Sequence, residues 1–307
     1  MQNHGFEMQL GYHKNQGAFR WDVTGLLSII RNKVTKLNTA NASYRAGADA
    51  DFGNGDITST VVGEPIQSFY GWIVDGIFQT AAEVASSAVQ VVDANNNPLK
   101  STQPGDLKFR DISGPAGKPD GRITDADRTF IGSYLPKFVY SLNYTASYKN
   151  FDCSVFFQGV QGNKVFNAER VIVEGMIRLF NSGTQVLDAW TPSHTNTSIP
   201  RAANGDPNGN SRVSTRWVEN GSYLRLKNLM VGYNIPVQGL KSLTNGAINK
   251  FRIYVSSQNL FTVTHYKGWD PEVGAVNTKS NRQLTTGIDY GQYPSARSFQ
   301  FGVQVGF

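Results

Sequence analysis

The stretch DISGPAGKPDGRITDADR, residues 111–128, gathers carboxylates around glycines in a way that chemistry could use. Oxygens spaced about a sharp turn are what Ca²⁺ takes, and they are equally the ordinary content of an Asp/Gly-rich surface turn. His4, His13, His194 and His265 fall in no metal-ligand spacing, which argues against a metal hydrolase. No nucleophile elbow, phosphate loop or dinucleotide fingerprint stands in a strand-to-helix context. Paired catalytic carboxylates cannot be chosen from the many loop acids, so a glycosidase has no named residues. The remaining chemistry is flat and aromatic: Trp72, Trp190, Trp217 and Trp269 lie in or beside long loops, free to stack on sugar rings, pack against a partner, or anchor the loops themselves.

Whatever these groups do, a β-rich frame must hold them. Charged residues make up 17% of the 307 positions, below the usual quarter, while glycine is abundant (31) and aromatics reach 12%, a balance suited to strands and turns. The net charge of +6 is scattered over Lys and Arg without a basic helix or dense patch, so nucleic acid is not an expected partner. A cationic rim facing anionic lipid phosphates is consistent with it. The single cysteine, Cys153, rules out an internal disulfide framework and reads as an inert thiol on an apolar face. No basic segment followed by an apolar one opens the chain, so no signal peptide is expected in it.

Period-two alternation recurs along the chain. In residues 5–13 Phe6, Met8, Leu10 and Tyr12 oppose Glu7, Gln9, Gly11 and His13; residues 19–30 follow suit. Phe138 to Tyr148 alternates cleanly, and after only Lys149 and Asn150 the segment from Phe151 keeps step, which predicts a hairpin. Residues 222–236 change phase near Asn228, as a β-bulge would cause, and 251–263 begin in phase and then mix. The last strand sets Phe299, Phe301, Val303, Val305 and Phe307 against Ser298, Gln300, Gly302, Gln304 and Gly306.

About seven strands result, most long enough to cross a bilayer at a tilt. Short connections at 14–17, 149–150 and 236–249 alternate strictly with long ones at about 31–135, 163–221 and 265–293. That alternation places every long loop on one side, the habit of an outer-membrane barrel. Tyr12, Phe19, Tyr148, Phe151, Tyr233, Phe251 and Phe307 fall where interfacial aromatic girdles would sit. The fold expected is all-β: an antiparallel transmembrane β-barrel, partial because seven strands leave two edges that lipid cannot satisfy. In the loops, residues 165–180 carry helical spacing at Val171, Glu174, Ile177 and Arg178, and residues 53–56 (GNGD) read as a turn. A secreted β-rich carbohydrate-binding or adhesin protein is the alternative from another class.

Several segments in order, FYGWIVDGIFQT, the run from GDLKFRDISG to GNKVFN, SYLRLKNLMVGYNIP, RIYVSSQNLFTVTHYKGWDPEV and YPSARSFQFGVQVGF, closely resemble the C-terminal barrel of SusC/RagA-like TonB-dependent outer-membrane transporters of the Bacteroidetes. The resemblance implies a large plugged barrel in the cell outer membrane, capped by a SusD-like lipoprotein and energised through TonB-ExbB-ExbD, importing oligosaccharides or, in some members, peptides without bond chemistry. Residues 1–307 would be the C-terminal part, with signal peptide, plug, TonB box and earlier strands lying outside it. The terminal row Phe299, Phe301, Val303, Val305 and Phe307 resembles the signal read by the barrel assembly machinery. Residues 111–127 resemble the family's calcium-like loop, with Asp120, Gly121, Ile123 and Asp127 matching and Asp111 in the first ligand's place, though about five residues are inserted and Asp127 replaces a longer Glu. No other cofactor is implied.

Overall fold

Each alternating segment forms a strand in the structure, a computed structural model that describes all residues except 39–41, 48–54, 115, 178–180 and 275–284. The strands are β1 (Gln2–Lys14), β2 (Phe19–Lys33), β3 (Phe138–Tyr148), β4 (Phe151–Gln161), β5 (Tyr223–Asn234), β6 (Lys250–Thr264) and β7 (Ser298–Gly306). They pair in sequence order, every pair antiparallel, into one seven-stranded sheet whose outer strands β1 and β7 are each paired on one side only. Short and long connections alternate as expected, so all three long loops emerge from one end.

Register carries the apolar positions into continuous rows. Tyr12 faces Val23, which faces Tyr144, and the row runs on through Val155, Leu229 and Ser257 to Phe299, crossing every strand. A one-residue slip in any pair would break the row, so the face itself specifies the register. These rows are exposed: Phe6 at 57%, Leu10 at 65%, Val255 at 53% and Phe301 at 73%. No member of either buried apolar cluster comes from them. Cys153 lies in the same face, between Ala146 and Val231. Near the short turns Phe19, Tyr148, Phe151 and Tyr233 stand opposite one another on four adjacent strands, with the last two rings 4.7 Å apart, as an interfacial girdle requires.

The opposite face is polar and self-paired. Ser28 donates to Glu7 at 3.1 Å and Asn32 to Asn3 at 2.6 Å, His13 pairs with Asp22, and Arg252 Nε donates to Asp152 at 3.0 Å. Two irregularities explain the phase changes in the sequence. Phe156 faces Asn228 while Phe157 faces Leu226, so Lys227 is the extra residue of a bulge. Across β6 the same register step falls beside Asn259, whose φ of 51° is left-handed, and that is why this segment's alternation mixes.

The long loops are where a conventional core forms. Tyr44–Ala46, Thr58–Thr60, Ser68–Gly71 and Thr129–Gly132 make a small antiparallel sheet, and Val218–Asn220, Lys164–Asn167 and Ile288–Asp289 make a second that joins two loops. Ile57, Phe69, Phe166, Val171, Trp217 and Ile288, drawn from all three loops, pack into one cluster at 0 to 1% exposure. The loop helix predicted around Val171 is present but shorter, at Ala168–Gly175. It starts at Asn167, whose side chain accepts the Arg170 amide, and stops at Met176, where φ reaches 52°. Ile177 thus falls beyond it, and Arg178, like Gly53 and Asn54 of the GNGD turn, lies outside the described residues. A helix at Val237–Thr244, in the third short connection, had no signal in the alternation.

Candidate functional site

The loop cluster forms a cap over one end of the sheet, and its tryptophans are mostly spent on building it. Trp217 is 1% exposed, with its indole N–H donated to Arg212 O at 3.1 Å. Arg216 lies over its ring at 4.8 Å and Arg170 at 5.6 Å, so its π-system is already served by cations. Trp190 is 7% exposed and donates to Gln79 at 3.0 Å. A Cβ on Gly105 would come within 2.5 Å of the Trp190 ring, so the backbone lies directly on that indole. Trp72 belongs to a ladder of alternating rings and guanidiniums: Arg45, Tyr70, Arg128, Trp72, Arg212, Phe109, each step between 4.9 and 5.5 Å. These three therefore anchor the loops and offer no face to a sugar. Trp269 differs, with 68% exposure and its N–H held by Glu169 at 3.1 Å.

The Asp-rich loop is organised by its own carboxylates. Asp111 accepts the amides of Asp120 and Gly121 at 3.3 and 2.6 Å, and Asp120 accepts Arg122 N at 3.0 Å. Asp127, fully buried, accepts Ile112 and Ser113 N on one oxygen and Thr124 N on the other. The three carboxylates are thus engaged with backbone N–H groups of their own turn. Among the described residues, no three His, Cys, Asp or Glu side chains are placed to share a metal ion. The arrangement is that of a capped turn ending in the short helix Asp125–Asp127.

A charge cluster that the sequence did not reveal lies beneath Trp269. Arg170, on the helix Ala168–Gly175, grips Glu174 with two nitrogens at 2.8 and 2.6 Å and reaches Glu219 at 2.6 Å. Burial pulls the Arg170 pKa down, but hydrogen bonds and charge from Glu174 and Glu219 outweigh it and leave the guanidinium's pKa raised. Arg216 is the reverse case. Burial, with Arg170 beside it, lowers its pKa to about 10 despite Glu174. A neighbouring latch ties the third loop to the sheet: Arg225 on β5, 3% exposed, binds Asp270 and Glu272 at 2.5 and 2.7 Å, and Lys227 at the bulge adds a contact to Glu272 at 2.7 Å. The residues of this cluster lie in two stretches of the second loop more than forty positions apart, each an ordinary charged residue locally. Only their meeting makes a site.

The terminal strand's Phe299, Phe301, Val303 and Val305 hold the apolar face of β7 at 40% exposure or more, and Phe307 follows at 86%. Phe251 faces Val305 and Val255 faces Phe301, so this row continues that of β6.

No family model matches the chain. The TonB-dependent receptor P3 of Formosa agariphila is 34% identical over 100% of the chain, which covers 29% of that receptor. The TonB-dependent receptor SusC of Bacteroides thetaiotaomicron is 27% identical over 94% of the chain and 24% of its own length. Solved structures of RagAB, a peptide importer, superpose with TM-scores of 0.70 in the closed-closed state and 0.73 in the open-open state. At 24 and 23% identity over 99% of the chain, and 29 and 28% of theirs, they establish likeness of fold. The chain therefore spans 24 to 29% of these relatives, and over that length it is a barrel segment of the SusC/RagA-like TonB-dependent receptors.

Proposed function

We propose that residues 1–307 supply the C-terminal strands and external loops of a SusC-like transporter in the outer membrane of a Bacteroidetes-like bacterium. Such a transporter takes up oligosaccharide or another nutrient, with energy from TonB-ExbB-ExbD and a SusD-like lipoprotein as its outer partner. RagAB, with its peptide cargo, adds peptides to the candidate nutrients. Uptake needs no bond chemistry from this chain. Its part is to present lipid with one face, a watery passage with the other, and to gather its loops over one mouth.

The observation that carries this reading is the seven-strand apolar face left uncovered while all three long loops close on one another at one end. A sandwich would bury that face against a second sheet; lipid is the remaining apolar partner for it. The terminal row from Phe299 to Phe307 fits recognition by the barrel assembly machinery, for which an ordered apolar strand end is the feature required.

The receptor containing this chain should fractionate with outer membranes and run as a heat-modifiable band. Its deletion should abolish growth on one class of oligosaccharide or peptide, restored by the intact gene. Recovery as a detergent-independent monomer in the medium would favour the secreted adhesin instead.

A further inference from the structure

On the outer face of β1, β2 and β3, charge occurs only at the strand ends, and all of it is basic. Register puts Lys14 in the row of Trp21 at the short-turn end, and Arg31 and Lys33 in the rows beyond Phe6 and Ile29 at the loop end. The carboxylates of these strands, Glu7 and Asp22, belong to the inner rows, where Ser28 and His13 hold them. Arg31 faces His4 across the strand pair and Lys33 follows two positions on, both cations being exposed. Arg31 donates Nη1 to the Lys137 carbonyl at 2.7 Å and to Ile30 O at 3.3 Å, which brings the exposed Lys137, just ahead of β3, into the group. A Cβ on Gly162 would come within 2.6 Å of the Lys137 stem, so this lysine lies across the end of β4. Among the described residues no acceptor reaches the Lys33 or Lys137 ammonium or the other Arg31 nitrogens. Glu64, whose carbonyl accepts the Val34 amide at 2.9 Å, forms no ion pair with them.

Their height is set by β2. Arg31 stands twelve positions along that strand from Phe19 of the aromatic girdle. At about 3.3 Å per residue and a tilt of about 40°, the two are separated by about 30 Å of bilayer, the depth of a hydrocarbon core. In a membrane the basic group therefore sits at headgroup level on the side of the long loops, directly beyond the apolar rows, where anionic lipid attracts Lys and Arg.

We infer that Arg31, Lys33 and Lys137 form a docking site for a phosphate of an outer-leaflet glycolipid, with Ile29 and Phe138 against its acyl chains. The inference rests on the transport reading, which puts this face in lipid and the long loops outside. Three neighbouring cations that no carboxylate of the same face answers complement a phosphoryl group, whereas a neutral headgroup would leave them unpaired. Lys14, equally exposed on the same face but at the opposite rim, supplies the control.

The receptor containing this chain, purified in detergent and delipidated, is titrated with bisphosphorylated lipid A, the same lipid with its phosphates removed, and phosphatidylglycerol, and bound lipid is counted by native mass spectrometry. Bisphosphorylated lipid A should bind tenfold or more tighter than either of the others. Arg31→Gln with Lys33→Gln should weaken it by at least tenfold, Arg31→Lys with Lys33→Arg should keep it, and Lys14→Gln should leave it unchanged. Equal affinity for the phosphate-free lipid, indifference to the paired glutamines, or an equal loss in Lys14→Gln overturns the site. Phosphatidylglycerol binding as tightly, with the same dependence on Arg31 and Lys33, overturns the glycolipid in favour of a phospholipid. Heat-modifiability of the same preparations reports the transport reading separately: a normal barrel without phosphate preference defeats the site alone, and a wild-type receptor with no heat-modifiable barrel defeats both.

Discussion

The sheet and the cap solve opposite problems. In the sheet, Phe6, Val255 and Phe301 face outward and polar side chains pair on the inner wall. In the cap, Phe69, Phe166 and Trp217 are sealed inside, as in any water-soluble domain. Buried charge gathers toward the cap: the paired Arg170, Glu174 and Glu219 belong to it, and the buried Arg225 of β5 pairs with Asp270 of the third loop. On the transport proposal one chain folds against two solvents, and the boundary between them runs where the long loops leave the strands.

The largest expected effect separates the two regions outright. Trp217→Ala removes the centre of the cap core and should cost about 3–5 kcal/mol there. Proteolysis in residues 163–221 should accelerate while the heat-modifiable barrel band persists; loss of both together would show that sheet and cap form one cooperative unit. Next in size, Val155→Arg on the outer face should cost about 2–4 kcal/mol in urea unfolding from lipid, whereas the adjacent Ser154→Arg on the inner wall should cost under about 1 kcal/mol. Equal costs would erase the distinction between the faces.

Asp127→Asn weakens a buried carboxylate that accepts three backbone amides and should cost about 1–3 kcal/mol, read as earlier loop melting. Chelation of calcium should leave the wild-type loop unchanged. A calcium-dependent rise in its melting would restore Asp111, Asp120 and Asp127 as ligands. The smallest effect concerns the latch. Burial alone would raise the Asp270 pKa, but Arg225 and the amides of Glu272 and Ser295 hold it below its ordinary 3.8. A depressed folded pKa stabilises above the unfolded value and loses that contribution as pH falls through the folded one. The third loop should therefore loosen only below about pH 4, seen as faster hydrogen exchange at 265–274.

The same division decided what could be read in advance. Strand positions were visible because each residue's face depends on its immediate neighbours, and even the bulge at Lys227 left a phase change at Asn228. The cap had no such local code. Ile57, Phe166, Trp217 and Ile288 meet only after three loops converge, and nothing near Trp72 announces that Arg128 and Arg212 will cover its ring. In the Asp-rich loop the matching residues are present, and it took the fold to show that their oxygens accept amides of the same turn. Arg170 and Glu219 escaped notice because a single charged residue in a polar loop has no distinguishing neighbour pattern.

The most direct test of the account is cysteine accessibility along β3 and β4 in intact outer membranes, in a Cys153→Ser background. A membrane-impermeant thiol reagent should label cysteines at Ser141, Asn143, Ser154 and Gln158 and spare those at Leu142, Tyr144, Val155 and Phe157. Uniform labelling, or labelling of the second set alone, would contradict a sheet with lipid on one side and a water-filled passage on the other.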